Sequence, residues 1–297
     1  MQVAPTLFAN LFSIYEIQHE QVNASYSPLA GNPAADLQLP VPQARLRLRD
    51  EGTGPAVVLI HGWTLDLRMW DPQVRLLANA FRLIRFDRRG FGLSSGQPSL
   101  AHDIADVRAI CAHLRLSSVA LVGMSQGARA AAHLAAESPE LVSCVVFDGA
   151  PAGILDEGDL GEEEIPVGEY RELVRAGRIE EFRSAWRQHP LARLHTAHAP
   201  TRELLERMLE RYRGLDLSEF PAEPSLAPAR IESIRQPALV ISGELDLASR
   251  TRSADALCAA LPSCTRAVVP GAGHLPNLDN PIFYTALLRD FLQKRAT

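Results

Sequence analysis

The chain has 297 residues, 46% of them hydrophobic, and a formal net charge of −5. That length suits one large or two modest domains with a substantial core. No basic run stands out, which excludes a nucleic-acid footprint, and the longest apolar runs, such as residues 56–60, are far too short to span a bilayer.

The cysteines are Cys111, Cys144, Cys258 and Cys264, with no CxxC pair. Two fall in apolar strand or helix patterns, which suits reduced thiols in a reducing, cytoplasmic compartment. A Cys258–Cys264 bridge stays open. Residues 1–17 are mildly apolar but lack a basic start, and Asn10 and Ser13 interrupt them, so they do not read as a signal peptide.

Residues 1–42, rich in Pro, Ala, Asn and Gln, predict a short helix and then an irregular arm. Order starts at Ala44. Leu46 and Leu48 alternate with Arg45, Arg47 and Arg49, the period of a half-buried strand. A turn over residues 50–55 leads to an apolar strand at 56–60, as in the middle of a parallel sheet. His61-Gly62-Trp63 follows at once. Asp71-Pro72 opens a helix. The next strand is 82–86, and Asp87-Arg88-Arg89-Gly90-Phe91-Gly92 is a glycine-rich loop. Ile104, Val107, Ile110, Cys111 and Leu114 fall at helical spacing, which predicts an amphipathic helix over 102–115.

Gly123-Met124-Ser125-Gln126-Gly127 comes next. An apolar run at 118–122 precedes it and an Ala-rich segment at 126–136 follows it. That is strand, sharp turn, helix. A serine at the tip of so tight a turn sits in strained backbone, and Gly123 and Gly127 remove side chains that would collide. Ser125 Oγ then stands at a helix N-terminus, whose dipole favours negative charge. The five-residue pattern alone also fits an ordinary turn; its setting makes Ser125 a candidate nucleophile.

A strand at 142–147 ends at Asp148. From 149 to 236 no strand is convincing. Helices are expected at about 169–176, 179–186 and 202–213, with Pro221, Pro224 and Pro228 in a return linker. The rhythm resumes with a strand at 238–242, a helix over roughly 253–260, a strand at 265–269 and a last helix from Pro281 to about Lys294. Strands alternating with helices predict an α/β fold: a mostly parallel central sheet with helices on both faces, interrupted by a helical insertion.

An exposed serine needs a base. Pro270-Gly271-Ala272-Gly273-His274 leaves the last strand on a flexible loop, so His274 is the candidate base. His113 and His133 read as helix-face residues. His195 and His198 lack a third or fourth partner and do not make a metal site. The base needs a carboxylate to orient it. Asp246 in Gly243-Glu244-Leu245-Asp246 is favoured, Asp148 is its competitor, and Glu244 would have to point the other way. Two backbone N–H groups should face the developing oxyanion: that of Gln126, and that of Trp63 beside Gly62. His61 reads as a structural loop residue and Asp87 as a loop-fixing carboxylate.

The order Ser125, Asp246, His274, with the His61-Gly62-Trp63 and Asp87-to-Gly92 segments, resembles the α/β-hydrolase superfamily. It is most similar to the small esterases, enol-lactonases and cofactor-free haloperoxidase-like members. The resemblance implies a core formed by 44–148 and 237–297 and a helical cap at 149–236; the N-terminal arm at 1–43 departs from it, being longer than such relatives usually carry. It also implies acyl transfer on a small-molecule ester or lactone, with no metal or organic cofactor. Two other activities of such relatives stay open: slow-turnover small-molecule receptors, and carbon–carbon bond hydrolysis of ring-fission products. Trp186, Leu191, Met208 and Tyr212 are candidate pocket-lining residues.

Overall fold

The computed structural model describes residues 35–150, 165–218 and 228–295. Eight strands form one sheet: β1 (Leu37–Val41), β2 (Ala44–Glu51), β3 (Ala56–Ile60), β4 (Arg82–Phe86), β5 (Val119–Met124), β6 (Val142–Asp148), β7 (Ala238–Gly243) and β8 (Cys264–Val269). Their order is β1-β2-β4-β3-β5-β6-β7-β8. Only the pairs made by β2 are antiparallel; β4 through β8 run parallel.

The central strands are apolar because both of their faces are covered. In β3, Val58 and Ile60 join one cluster, with residues of the helices α2 (Leu100–His113) and α3 (Gln126–Glu137). Val57 and Leu59, which alternate with them, are equally buried on the opposite face. On that opposite side α1 (Asp71–Leu77) packs against the last helix, Pro281–Gln293. Parallel strands need crossovers, and α1, α2 and α3 supply three of them.

Between β6 and β7 the described residues include α4 (Val167–Arg175), α5 (Ile179–Gln188), α6 (Ala199–Leu209) and α7 (Leu215–Ser218). Their apolar faces meet one another and the loop after β3. Tyr170, Phe182, Trp186, Leu209, Tyr212 and Leu217 cluster with Trp63 and Phe91. A further helix, α8 (Pro228–Ser233), behaves differently. Ile231 and Ile234 are fully buried in the cluster that holds α3 and α9 (Ala248–Ala260), so this end of the insertion packs with the sheet-covering layer.

The largest departure from the expected elements is β1. Leu37–Val41 lies in the stretch expected to be irregular, yet pairs in register with β2, Leu37 opposite Leu48 and Val41 opposite Ala44. Pro40 lies within this strand and Pro42 just after it. An edge strand tolerates a proline because its outer N–H groups need no partner. The helix expected at the N-terminus, and Pro221 and Pro224 of the linker, lie outside the described residues. Pro228 starts a helix instead of a linker.

Cys258 and Cys264 are joined by a disulfide, Cα to Cα 5.5 Å, which ties the end of α9 to the start of β8. Cys111 and Cys144 are free and buried. Burial pushes both thiols up to about 11, so neither is a thiolate near neutrality. Among the described residues no helix is long and apolar enough to cross a membrane.

Candidate active site

Ser125 sits between β5 and α3 with φ of 49°, a left-handed conformation that costs a non-glycine residue energy. The flanking glycines make the turn possible. A Cβ on Gly123 would lie 2.4 Å from the Gly127 carbonyl oxygen, and one on Gly127 would lie 2.3 Å from that of Ile60. The strained serine is held by its own backbone: its N–H donates to the Asp148 carbonyl at 2.8 Å, and its carbonyl accepts from Ala128 N–H at 2.8 Å.

His274 is on the loop after β8. Its Nδ1 lies 3.0 Å from Asp246 Oδ2. The two side chains are 5% and 1% exposed, so water does not compete for the contact. In the tautomer whose Nδ1–H donates to the carboxylate, Nε2 is the ring nitrogen that can accept a proton. Asp246 is itself braced, its Oδ1 accepting from Leu247 N–H at 2.8 Å. Glu244 is engaged elsewhere, accepting from Gly271 N–H at 2.8 Å.

Asp148, the competing carboxylate, makes no hydrogen bond to His274 among the described residues. It is fully buried beside Tyr284. Desolvation holds its carboxyl well above the ordinary carboxylate range; the Tyr284 hydroxyl opposes this and the Asp246 charge reinforces it.

Ser125 and His274 line one cavity of about 30 Å³. Its other described lining residues are Trp63, Thr64, Leu65, Met124, Ile165, Trp186, Leu191, Ala192, Leu205 and Leu275, none of them charged. Trp186 and Leu191 were expected there. Met208 and Tyr212 are buried but do not line it; Leu205, one turn before Met208, does.

The loop after β3 is built as the sequence suggests. His61 Nε2 accepts from Arg88 N–H at 2.9 Å, so its Nδ1 carries the proton and donates to the Gly62 carbonyl at 2.8 Å. Burial first, then the nearby Arg88 charge, lowers the imidazole to about 3, and it stays neutral. Asp87 accepts from the N–H groups of Leu67 at 2.9 Å and Leu93 at 2.7 Å, fixing two loops to each other. The side chains of both candidate oxyanion residues are tethered. Arg88 donates to Gln126 Oε1 at 3.1 Å, and Trp63 Nε1 donates to Asp216 Oδ2 at 2.5 Å.

Sequence reasoning missed Asp279. It accepts from Gly273 N–H at 2.9 Å through Oδ2, and from the N–H groups of His195 and Thr196 at 2.6 and 2.9 Å through Oδ1. It therefore joins the His274 loop to the helical insertion. The only hint in sequence is its place just before Asn280-Pro281, which says nothing of such distant partners. His195 reaches the same loop, and His198 pairs with Thr201 at 2.9 Å.

Known proteins resemble this arrangement along most of its length. The chain is 28% identical over 268 residues to the 2-(acetamidomethylene)succinate hydrolase of Mesorhizobium japonicum, covering 83% of this chain and 91% of that one. A thermophilic esterase from Thermogutta terrifontis superposes with a TM-score of 0.70 at 26% identity, over 89% of this chain and 100% of that one. The enol-lactonase of Burkholderia xenovorans shares the fold, with a TM-score of 0.72 at 24% identity over 86% of this chain and 100% of that one. A family model described as the alpha/beta hydrolase fold matches residues 55–281, and with its eight-stranded, mostly parallel sheet the chain belongs to that family of enzymes.

Proposed function

We propose that this enzyme hydrolyses a carboxylic ester or lactone of a small molecule through an acyl-enzyme on Ser125. The observation that carries the reading is that Ser125 and His274 line one cavity while His274 Nδ1 is held on Asp246. In this reading Nε2 of His274 takes the Ser125 hydroxyl proton as Oγ attacks the carbonyl carbon. The oxyanion accepts from the backbone N–H groups of Trp63 and Gln126. His274 then gives its proton to the departing alkoxide. Water attacks the acyl carbon, His274 taking its proton and then giving it to Ser125 Oγ as the acyl bond breaks, which frees the serine and the carboxylic acid. Asp246 keeps the imidazole in the tautomer that both half-reactions need.

The helices α4 to α7 act as a cap in this reading, because Trp186, Leu191 and Leu205 supply one wall of the cavity. A cytoplasmic setting accords with the free Cys111 and Cys144, whereas the Cys258–Cys264 bridge favours an oxidising one. Relatives with esterase and lactonase names support the substrate class.

The test is a panel of short acyl esters and lactones run beside Ser125→Ala. Repeated turnover by the unaltered enzyme, abolished in the variant, is the expected outcome. No turnover of any ester or lactone, or equal rates in both proteins, contradicts the reading.

A further inference from the structure

Asp216 lies in α7, in the helical insertion, and Trp63 in the loop after β3, 153 residues away. The carboxylate takes one donor on each oxygen: Trp63 Nε1 on Oδ2 at 2.5 Å and the Tyr212 hydroxyl on Oδ1 at 2.6 Å. Both oxygens act as acceptors. Desolvation holds the carboxyl above its ordinary value; the hydrogen bonds from Tyr212 and Trp63, and the Arg88 charge, act against it. Tyr212 keeps its phenol proton, because burial and the Asp216 charge hold its pKa well above the ordinary value.

The Trp63 ring has little freedom. Trp186 meets it edge-on at 4.7 Å between centroids, and Phe182 and Tyr212 do so at 5.8 and 6.1 Å. The next residue, Thr64, has φ of 62°, a strained conformation for a β-branched side chain. Its Oγ1 accepts from Trp186 Nε1 at 2.9 Å. Both residues after Gly62 are therefore bonded to the insertion through their side chains. Strained backbone persists only where its surroundings over-determine it. Here the surroundings include Asp216 and Trp186.

We infer that Asp216 is a positioning residue for the oxyanion hole: by holding the Trp63 indole it fixes the direction of the Trp63 backbone N–H, so the insertion completes the site as well as covering it. The indole and the backbone N–H share one Cα, and a ring anchored at its far end limits rotation of the peptide that carries the donor. This inference rests on the reading of Ser125 as nucleophile and of Trp63 as an oxyanion donor. An oxyanion donor acts in the transition state, so its displacement lowers kcat and leaves substrate binding alone.

The experiment measures kcat and KM per active site, titrated with a serine-directed phosphonate, for Asp216→Asn, Trp63→Phe and the double variant. Each single change is expected to lower kcat roughly 10- to 100-fold, the cost of a misplaced donor. For Asp216→Asn, whose side chain is not among those lining the cavity, KM should stay within about twofold. A boronic acid that mimics the tetrahedral intermediate should bind more weakly in parallel with kcat. The double variant should be no worse than the weaker single one, because both changes break the same contact. Unchanged kcat per titrated site with only a lower melting temperature, or multiplied losses in the double variant, overturns the inference. If Asp216→Asn does not fold, Trp63→Phe decides alone: a fall in kcat with boronic acid binding weakened in parallel supports it and an unchanged kcat overturns it. Failure of the underlying reading looks different, since the unaltered protein would then take no label on Ser125.

Discussion

His274 and Asp246 stand 28 residues apart on loops that leave different strands, yet Nδ1 and Oδ2 meet at 3.0 Å with both side chains nearly buried. Neighbouring parallel strands make this possible. β7 and β8 pair along their length, Gly243 opposite Val269, so the loops at their carboxyl ends emerge side by side. The Leu245 N–H donates to the Ala272 carbonyl at 2.8 Å and stitches those loops together.

Asp246→Asn keeps this shape but offers the imidazole an amide that can stabilise the wrong tautomer. The expected loss in kcat is on the order of a thousandfold, scaled down from the roughly 10⁴ seen for the same change in a serine protease. Asp148→Asn should cost far less. Steady-state kinetics on both folded variants decide, and the reverse ranking would move the orienting role to Asp148.

Asp148 carries a pH prediction of its own. Burial raises its folded-state pKa well above the ordinary 3.8. Between those two values the folded chain holds a proton that the unfolded chain has released. The stability from this group is therefore fully present below the unfolded pKa and declines as pH rises through the folded one. Asp148→Asn cannot ionise and should lack this decline. Melting curves from about pH 5 to about pH 8 should fall more steeply for the unaltered enzyme than for the variant; equal slopes would show that Asp148 does not hold the proton.

The cavity wall sets the third expectation. Leu191 and Leu205 line the cavity from the insertion, and no charged side chain lines it among the described residues. Leu191→Ala or Leu205→Ala should shift relative kcat/KM among acyl chain lengths by about 1–3 kcal/mol per methylene contact. A neutral acyl ester should outrun a half-ester of similar length ending in a free carboxylate by roughly 100-fold or more, because that charge would be buried without a partner. Uniform losses across all chain lengths, or equal use of the charged ester, would rule out this placement of the acyl group.

Much of this site was legible in sequence because its signals are local. The glycines around Ser125, the loop of His274 and the turn of Asp246 each announce themselves within a few residues, and the strand rhythm orders them. What stayed hidden depends on distant partners. Asp279 meets His195 and Thr196 across 84 and 83 residues, and Trp63 meets Asp216 across 153. Leu205 and Met208 stand one turn apart on α6, and helical spacing does not tell which of them borders the cavity. β1 alternates Leu37, Leu39 and Val41 within a proline-rich stretch, and an edge position cannot be read from a single strand.

The Cys258–Cys264 bridge yields a thiol count. Denatured without reductant, each chain should titrate two thiols, Cys111 and Cys144, and four after reduction. Cys258→Ser should lower stability by roughly 2 kcal/mol, a small effect because the closed loop is short. Four thiols without reductant would show that the bridge does not form in the isolated protein.

The central claim is that Ser125 is the nucleophile, and covalent labelling tests it most directly. A serine-directed phosphonate should add one adduct, mapped by mass spectrometry to the peptide containing Ser125, with activity lost in proportion to labelling. Ser125→Ala should take no label and lose activity by orders of magnitude, about a millionfold in comparable serine hydrolases. An adduct on another residue, or undiminished labelling of Ser125→Ala, would contradict it.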